Sequence, residues 1–192
     1  LFWRAMFSSA WVKTGGLGDV AAALPAALHR EKHDIRVLLP AYRALLQAFP
    51  DALQLARLPA LAPALPPARL LAADAGGLPL ILLDCPELFD HPGNPYLDAL
   101  GHDRADNGIR FGLLSRVAAL LGQPASPLGW RPDVVHANEW HSALAPAWLH
   151  YEGGAASVVT VHNIAFQGNF PADHLAALGL PEHAWRVDGV EY

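Results

Sequence analysis

The amino-acid sequence predicts an α/β fold with a doubly wound, mostly parallel sheet and helices on both faces. Apolar runs of strand length recur along the chain without in/out alternation, which is typical of strands buried on both faces. Segments with helical spacing separate most of these runs, as in sheets whose parallel strands are joined by helices. The predicted strands are 35–39, 70–73, 80–83, 134–135 with its neighbours, and 158–161, and the predicted helices are 20–30, 105–121 and 140–151.

Proline marks three places where this pattern is interrupted. Pro25 and Pro146 fall inside predicted helices, so we expect a kink or a break at each. The stretch 58–68 carries too many prolines for a regular element and predicts a loop or an extended connector. The sequence shows no internal repeat and no clear domain boundary.

Composition excludes several classes of protein. The 192 residues are 53% hydrophobic and 16% charged, with a formal net charge of -5, so no basic face is expected for nucleic acid or an anionic membrane. Charged residues, proline or glycine interrupt every apolar run before it reaches the length of a membrane span. Cys85 is the single cysteine, which excludes an internal disulfide and makes the cytoplasm the default expectation.

A glycine-rich turn opens the first predicted helix. Residues 13–20 read Lys-Thr-Gly-Gly-Leu-Gly-Asp-Val. Backbone N–H groups at such a turn and the positive end of the helix dipole favour a phosphate, and Lys13 adds a full charge. An ordinary loop with a helix cap explains the same residues and stays open as an alternative.

Polar residues also follow two of the predicted strands. His136–His141 come after the strand at 134–135, and His162–Gly168 come after the strand at 158–161. Ligands of open parallel sheets collect at the carboxyl ends of the strands. We therefore expect these two segments and the turn at Lys13 to surround one crevice.

The first of these segments has a structural alternative. Asn138 would cap the following helix, Glu139 would lie in its first turn, and Trp140 and His141 would pack. A zinc site is not expected, because His136 and His141 are five apart and no cysteine completes a ligand set.

The second segment suggests a sugar site. His162 and Asn163 lie beside Phe166 and Gly168, so groups that bind hydroxyls adjoin a stacking surface. A loop pair that only bonds nearby backbone groups is the alternative. Residues 16–21 also match the dinucleotide pattern G-x-G-x-x-A, but 38–40 read Leu-Leu-Pro where that fold expects a carboxylate.

The sequence resembles the bacterial glycogen synthase and plant starch synthase family, glucosyltransferases of the two-domain GT-B type. The matching motifs occur in the family's order across most of the chain. They are 13–20 with Leu24 and Pro25, 37–42, 94–96, Asp106 and Asn107 with Arg110 and Phe111, 132–136 through Trp140 and His141, and 160–168.

The resemblance implies transfer of glucose from ADP-glucose to the 4-hydroxyl of an α-1,4-glucan, glycogen or starch, with retention and with neither metal nor cofactor. The choice of ADP-glucose over UDP-glucose depends on the family's second domain. By the resemblance, Lys13, His162 and Glu139 are catalytic. The substrate-binding residues that it implies are Lys13, Gly15, Gly16, Asp19, Tyr96, Glu139, His162, Asn163 and Gln167.

Three departures from the family pattern limit this interpretation. Phe7 stands where the family has Glu, Glu139 stands where it has Asp, and the second domain is absent. We therefore expect residues 1–192 to be an incomplete N-terminal domain that transfers no glucose alone. A glucan- or nucleotide-binding module without catalysis remains open, and a dinucleotide oxidoreductase is the less favoured alternative.

Overall fold

The structure is a computed structural model, and it describes residues 16–92, 94–98 and 100–190. It divides into two units. The first unit holds Leu1–Arg57 and Arg69–Gly101, and the second holds Leu58–Ala68 and His102–Tyr192. Lys13 and Gly15, both predicted site residues, lie outside the described residues, as does Phe7.

The first unit is built on a four-stranded sheet. The strand order is β1-β4-β3-β2, with β1 parallel to β4 and β3 antiparallel to it. Its elements are α1 (Gly16–Arg30), β1 (Val37–Pro40), α2 (Arg43–Ala48), β2 (Leu53–Leu58), β3 (Ala68–Asp74), β4 (Pro79–Asp84) and α3 (Pro86–Phe89).

The antiparallel pairing of β3 and β4 differs from the parallel arrangement predicted for these strands. Ala75 donates its N–H to the Leu78 carbonyl at 2.9 Å, and Gly77 donates to Asp74 Oδ1 at 2.7 Å. This turn is too short for the crossover that parallel strands need. Gly77 has φ 94°, a left-handed conformation that glycine adopts without strain.

The core of this unit lies against the central strand. Leu80 and Leu82 of β4 are buried together with Leu71, Leu78 and Leu45. Strand β2, which the sequence did not predict, is mostly exposed, as expected at the edge of a sheet.

The second unit contains a β-α-β arrangement of the predicted kind. Strands β5 and β6 are parallel, with Val134 opposite Ala156 and Asn138 opposite Thr160. The carboxyl ends of the two strands therefore lie side by side. The elements are α4 (Asn107–Gly122), β5 (Val134–Asn138), α5 (Ala145–Glu152), β6 (Ala156–Thr160), α6 (His174–Leu178) and a 3₁₀ turn, Glu182–Ala184.

Helix α4 is buried along most of its length, including Leu113, Val117 and the side chain of Arg110. Gly112 permits a close approach of helix α6, because a Cβ atom there would lie 2.5 Å from Leu178 Cδ2. The helix thus forms the centre of the second unit.

The two prolines have different outcomes. Helix α1 continues past Pro25 to Arg30, so the predicted break is absent. Helix α5 begins only at Ala145, and Pro146 lies in its first turn, where a missing N–H costs nothing. The stretch 58–68 is the predicted loop between β2 and β3, with one isolated bridge between Ala62 and Leu65.

Among the helices that the structure describes, none combines the length and apolar composition that a transmembrane span requires.

Candidate functional site

Glu139 connects the ends of β5 and β6. Its backbone N–H donates to the Thr160 carbonyl at 2.9 Å, which extends the strand pairing by one step. The backbone then turns through φ 60° at Glu139, an unusual conformation for glutamate. Only 5% of Glu139 is exposed.

The buried carboxylate holds the loop that follows β6. Glu139 Oε1 accepts the backbone N–H of His162 at 2.5 Å and that of Asn163 at 2.7 Å. Hydrogen bonds from amides to a carboxylate are stronger than those between neutral groups. Glu139 therefore fixes the backbone of the two residues predicted to contact a sugar.

The predicted roles of Asn138 and Glu139 at a helix N-terminus are wrong. Helix α5 begins at Ala145, and its N-cap residue, Leu144, makes no side-chain cap bond. Residues 140–144 form turns instead. Ser142 Oγ accepts the Asn138 N–H at 2.8 Å and donates to the Asn138 carbonyl at 2.9 Å. The side chains of Asn138 and Glu139 instead contact the loop that follows β6.

The His162 ring contacts Asn138. Nε2 of the ring lies 3.0 Å from Asn138 Oδ1. A second histidine has an equivalent partner nearby, since His136 Nε2 lies 2.7 Å from Thr160 Oγ1. Within residues 16–92, 94–98 and 100–190, no group of three His, Cys, Asp or Glu is arranged to hold a metal ion.

The loop after β6 presents polar and apolar groups to solvent. Asn163 Oδ1 accepts the Ala165 N–H at 3.0 Å, and Gln167 Nε2 donates to the Ile164 carbonyl at 3.3 Å. Ile164 is 79% exposed and Phe166 is 64% exposed. An imidazole, two amides and an aromatic ring on one exposed loop are suited to a sugar, which offers hydroxyls and an apolar face.

An aromatic cluster supports the far end of this loop. Trp140 packs against His141 and Phe111, with ring centroids 4.1 and 5.0 Å apart, so the packing alternative is correct for Trp140 and His141. Gly168 lies against the indole: a Cβ atom there would be 2.4 Å from Trp140 Cε3, and its φ is 65°. A cavity of about 300 Å³ is lined by Trp140, Phe111, Gly168 and Phe170 among others.

His141 is kept neutral by its surroundings. Burial lowers the pKa of His141 to about 4, and the positive charge of Arg110 contributes in the same direction. The neutral ring packs edge-on against Phe111, with centroids 4.6 Å apart. His141 thus belongs to the packing of the second unit.

The structure joins three of the predicted site residues, Glu139, His162 and Asn163, by direct hydrogen bonds. Gln167 lies on the same loop. The other described positions are in the first unit: Gly16 begins α1, and the Tyr96 N–H donates to Asn94 Oδ1 at 2.8 Å. Asp19 also belongs to the first unit, but its side chain lies outside the described part of the structure.

The sequence predicts Asn138 only as a helix cap, and its contact with His162 was not predicted. The positions of the two residues could have indicated this contact. Asn138 ends β5 and His162 follows β6, and the sequence predicts that these strands are parallel neighbours. The carboxyl ends of such strands share one edge of the sheet.

Comparison with known proteins gives consistent results. Residues 6–192 match the family model described as starch synthase catalytic domain. A glycogen synthase of Dechloromonas aromatica (strain RCB) is 76% identical over 182 residues, which are 95% of this chain and 38% of that protein. A glycogen synthase of Nitrosomonas europaea is 51% identical over 187 residues, 94% of this chain and 38% of the relative.

A solved structure agrees. The catalytic domain of Starch Synthase IV from Arabidopsis thaliana bound to ADP and acarbose superposes with a TM-score of 0.69 at 25% identity. The match covers 94% of this chain and 38% of that one.

The fold is that of a glycosyltransferase catalytic domain, and the predicted fold class is confirmed. The chain belongs to the starch synthase catalytic domain family, as the sequence motifs indicated. It spans 38% of the length of the two glycogen synthases.

Proposed function

We propose that the protein carrying this chain is a glycogen synthase that transfers glucose from ADP-glucose to the 4-hydroxyl at the non-reducing end of an α-1,4-glucan, with retention of configuration. Relatives named glycogen synthase are up to 76% identical to the chain. The structural neighbour bound to ADP supports ADP-glucose as the donor. The observation that carries the proposal is the Glu139 carboxylate holding the loop that presents His162 and Asn163.

In this proposal His162 and Asn163 bind the transferred glucose. Departure of the diphosphate leaves an oxocarbenium-like sugar, so the transition state differs from the ground state mainly in charge. A loop held in place before the sugar arrives does not have to be reorganised during the reaction. Gln167 and Tyr96 are assigned to the lining of the cleft.

The glycine-rich turn is assigned to the diphosphate. Lys13 would neutralise the negative charge that develops on the leaving group, and the backbone N–H groups at Gly15 and Gly16 would bind its oxygens. Helix α1 begins at Gly16, which suits this assignment. Asp19 lies in the first turns of the same helix and is assigned to the cleft.

Glu139 acts in this proposal mainly through the loop. Its carboxylate is buried and accepts two backbone N–H groups, so its charge is used to position His162 and Asn163. The loss of this charge would affect the sugar through the loop it holds. The site needs no metal and no cofactor for these roles.

We further propose that residues 1–192 form the N-terminal part of the catalytic unit, and that a second domain completes the cleft. Without that second domain, the site would be open to water on one side. The chain alone would then neither hold ADP-glucose nor protect it from hydrolysis. We expect no transfer from ADP-glucose by the isolated chain. Turnover by the isolated chain would contradict this part of the proposal.

The test compares two histidine variants of the intact protein. The readout is incorporation of radiolabelled glucose from ADP-glucose into glycogen. We expect His162→Ala to lower kcat/KM by about 100-fold or more, as for loss of a transition-state contact. The matched control is His136→Ala, at the same sheet edge but paired with Thr160, which should stay within about threefold.

Two results would overturn the proposal. One is a His162→Ala variant that transfers glucose with the kcat/KM of the wild type. The other is binding of glucan without transfer by the intact wild-type protein, which would identify a binding module.

A further inference from the structure

We infer that Asn138 is a positioning residue that fixes the proton of the His162 imidazole on Nε2 and leaves Nδ1 as the acceptor for a substrate hydroxyl. The inference rests on the proposed function for the identity of the substrate. The contact itself is a feature of the protein without substrate: Nε2 of His162 lies 3.0 Å from Oδ1 of Asn138.

The orientation of the Asn138 amide follows from its second contact. Asn138 Nδ2 donates to the His136 carbonyl at 3.4 Å. A carbonyl oxygen can only accept, so the amide nitrogen must face it, and Oδ1 must face the His162 ring. The direction of the amide is thus set by the backbone of its own strand.

This orientation decides the tautomer of the ring. An amide oxygen cannot donate, so the hydrogen between Asn138 and His162 belongs to Nε2. A neutral imidazole carries one N–H, and protonation at Nε2 leaves Nδ1 with a lone pair. The ring then accepts a hydrogen bond from a sugar hydroxyl and holds that oxygen in a defined orientation.

Both partners are anchored through their backbones. Asn138 ends β5 opposite Thr160, and Ser142 Oγ bonds both its N–H and its carbonyl. The N–H of His162 is bound by the Glu139 carboxylate. Because both backbones are held, the bond between the side chains sets the direction of the ring as well as its protonation.

The experiment removes the acceptor while keeping the size of the side chain. We would label the histidines of the intact protein with ¹⁵N and identify the His162 signals by their loss in His162→Gln. In the wild type we expect a protonated Nε2 and a bare Nδ1. Asn138→Leu should give a mixture of tautomers, and Asn138→Asp, which keeps an acceptor oxygen, should restore the single Nε2–H form.

Transfer activity supplies a second readout. We expect Asn138→Leu to lower kcat/KM about 10- to 100-fold, because the ring is no longer held in its productive orientation, and Asn138→Asp to recover most of it. The matched control is Thr160→Val, which breaks the neighbouring pair with His136 and should change neither the His162 signals nor the transfer. If Asn138→Leu fails to fold, Asn138→Ala replaces it, because alanine also carries no acceptor.

The inference would be overturned if Asn138→Leu kept the single tautomer of the wild type. It would also be overturned if Nε2 of His162 were unprotonated in the wild type. Absence of transfer by the wild type would overturn the proposed function alone, because the NMR signals are measured without substrate. The two proposals therefore fail by different observations.

Discussion

The carboxylate of Glu139 and the backbone N–H of His162 meet at 2.5 Å across the ends of two adjacent parallel strands. The same oxygen also accepts the N–H of Asn163. Two consecutive donors on one charged acceptor leave the loop little freedom to rotate. The carboxylate of Glu139 thus holds the start of the loop at His162 and Asn163.

Replacing Glu139 should impair glucose transfer, and the loss should be larger when the new side chain has no acceptor oxygen than when it has a neutral one. A hydrogen bond to a charged group contributes about 1.5–3 kcal/mol, and about 1.4 kcal/mol is a factor of ten. In the intact protein we expect Glu139→Ala to lower kcat/KM by about 100-fold and Glu139→Gln, which keeps a neutral oxygen, by about 10-fold. Steady-state transfer assays measure both.

The control for these variants is Glu182→Gln, an exposed acidic residue of the second unit. It should leave transfer within about twofold of wild type. Equal activity in Glu139→Ala and wild type would show that the loop holds its shape without the carboxylate.

The sequence was sufficient for the fold class because several strands carry unbroken apolar runs, whether the structure buries them, as in β4, or exposes them, as in β6. Strands β1, β4 and β6 lie close to their predicted positions. Strand direction failed at β3 and β4, where Gly76 and Gly77 form a turn too short for a crossover. Edge strand β2 was missed because its exposed residues give no buried run.

Prediction of the site was limited in a similar way. Two parallel strands in sequence were enough to bring Glu139 and His162 to one edge. The role of Glu139 depends on the left-handed turn at that residue, which no local pattern encodes, and a helix dipole explained the same carboxylate equally well. Pro146 was the available sign that the helix starts later.

Gly168 should resist replacement because it combines a left-handed backbone conformation with a close contact to an indole ring. Gly168→Ala places a Cβ atom 2.4 Å from Trp140, in addition to the strain of its φ of 65°. Strain alone costs about 1 kcal/mol, and overpacking adds about 1–3 kcal/mol. We expect urea unfolding followed by tryptophan fluorescence to show a loss of about 2–4 kcal/mol.

Gly129 provides the matched control, with φ 59° and no atom within 4 Å of a Cβ placed there. Gly129→Ala should lose only the strain, about 1 kcal/mol. Equal losses in the two variants would mean that Trp140 moves aside without cost.

Two proline replacements should differ in their effect on the free energy of unfolding. Pro25 lies inside α1, where its missing N–H and its ring oppose the helix, so Pro25→Ala should raise the free energy of unfolding by about 1–3 kcal/mol. Pro146 lies in the first turn of α5, so Pro146→Ala should change it by less than about 1 kcal/mol. Urea unfolding followed by far-ultraviolet circular dichroism measures both, and destabilisation by Pro25→Ala would contradict the prediction.

The partly buried His141 should make the protein less stable in acid. Its pKa is about 4 in the folded state and 6.5 for a free histidine, so the unfolded chain binds the proton first as the pH falls. The neutral ring's contribution is complete above about pH 6.5 and is lost progressively between 6.5 and about 4.

The difference between the His141 pKa values of the unfolded and folded states corresponds to about 3 kcal/mol. Because of His141, the free energy of unfolding should therefore fall by about that amount as the pH falls from 6.5 to about 4. His141→Gln cannot titrate and should have a correspondingly flatter pH profile in urea unfolding. The exposed His33→Gln should keep the wild-type slope. A wild-type slope in His141→Gln would mean that other groups cause the loss, because the substituted side chain binds no proton in either state.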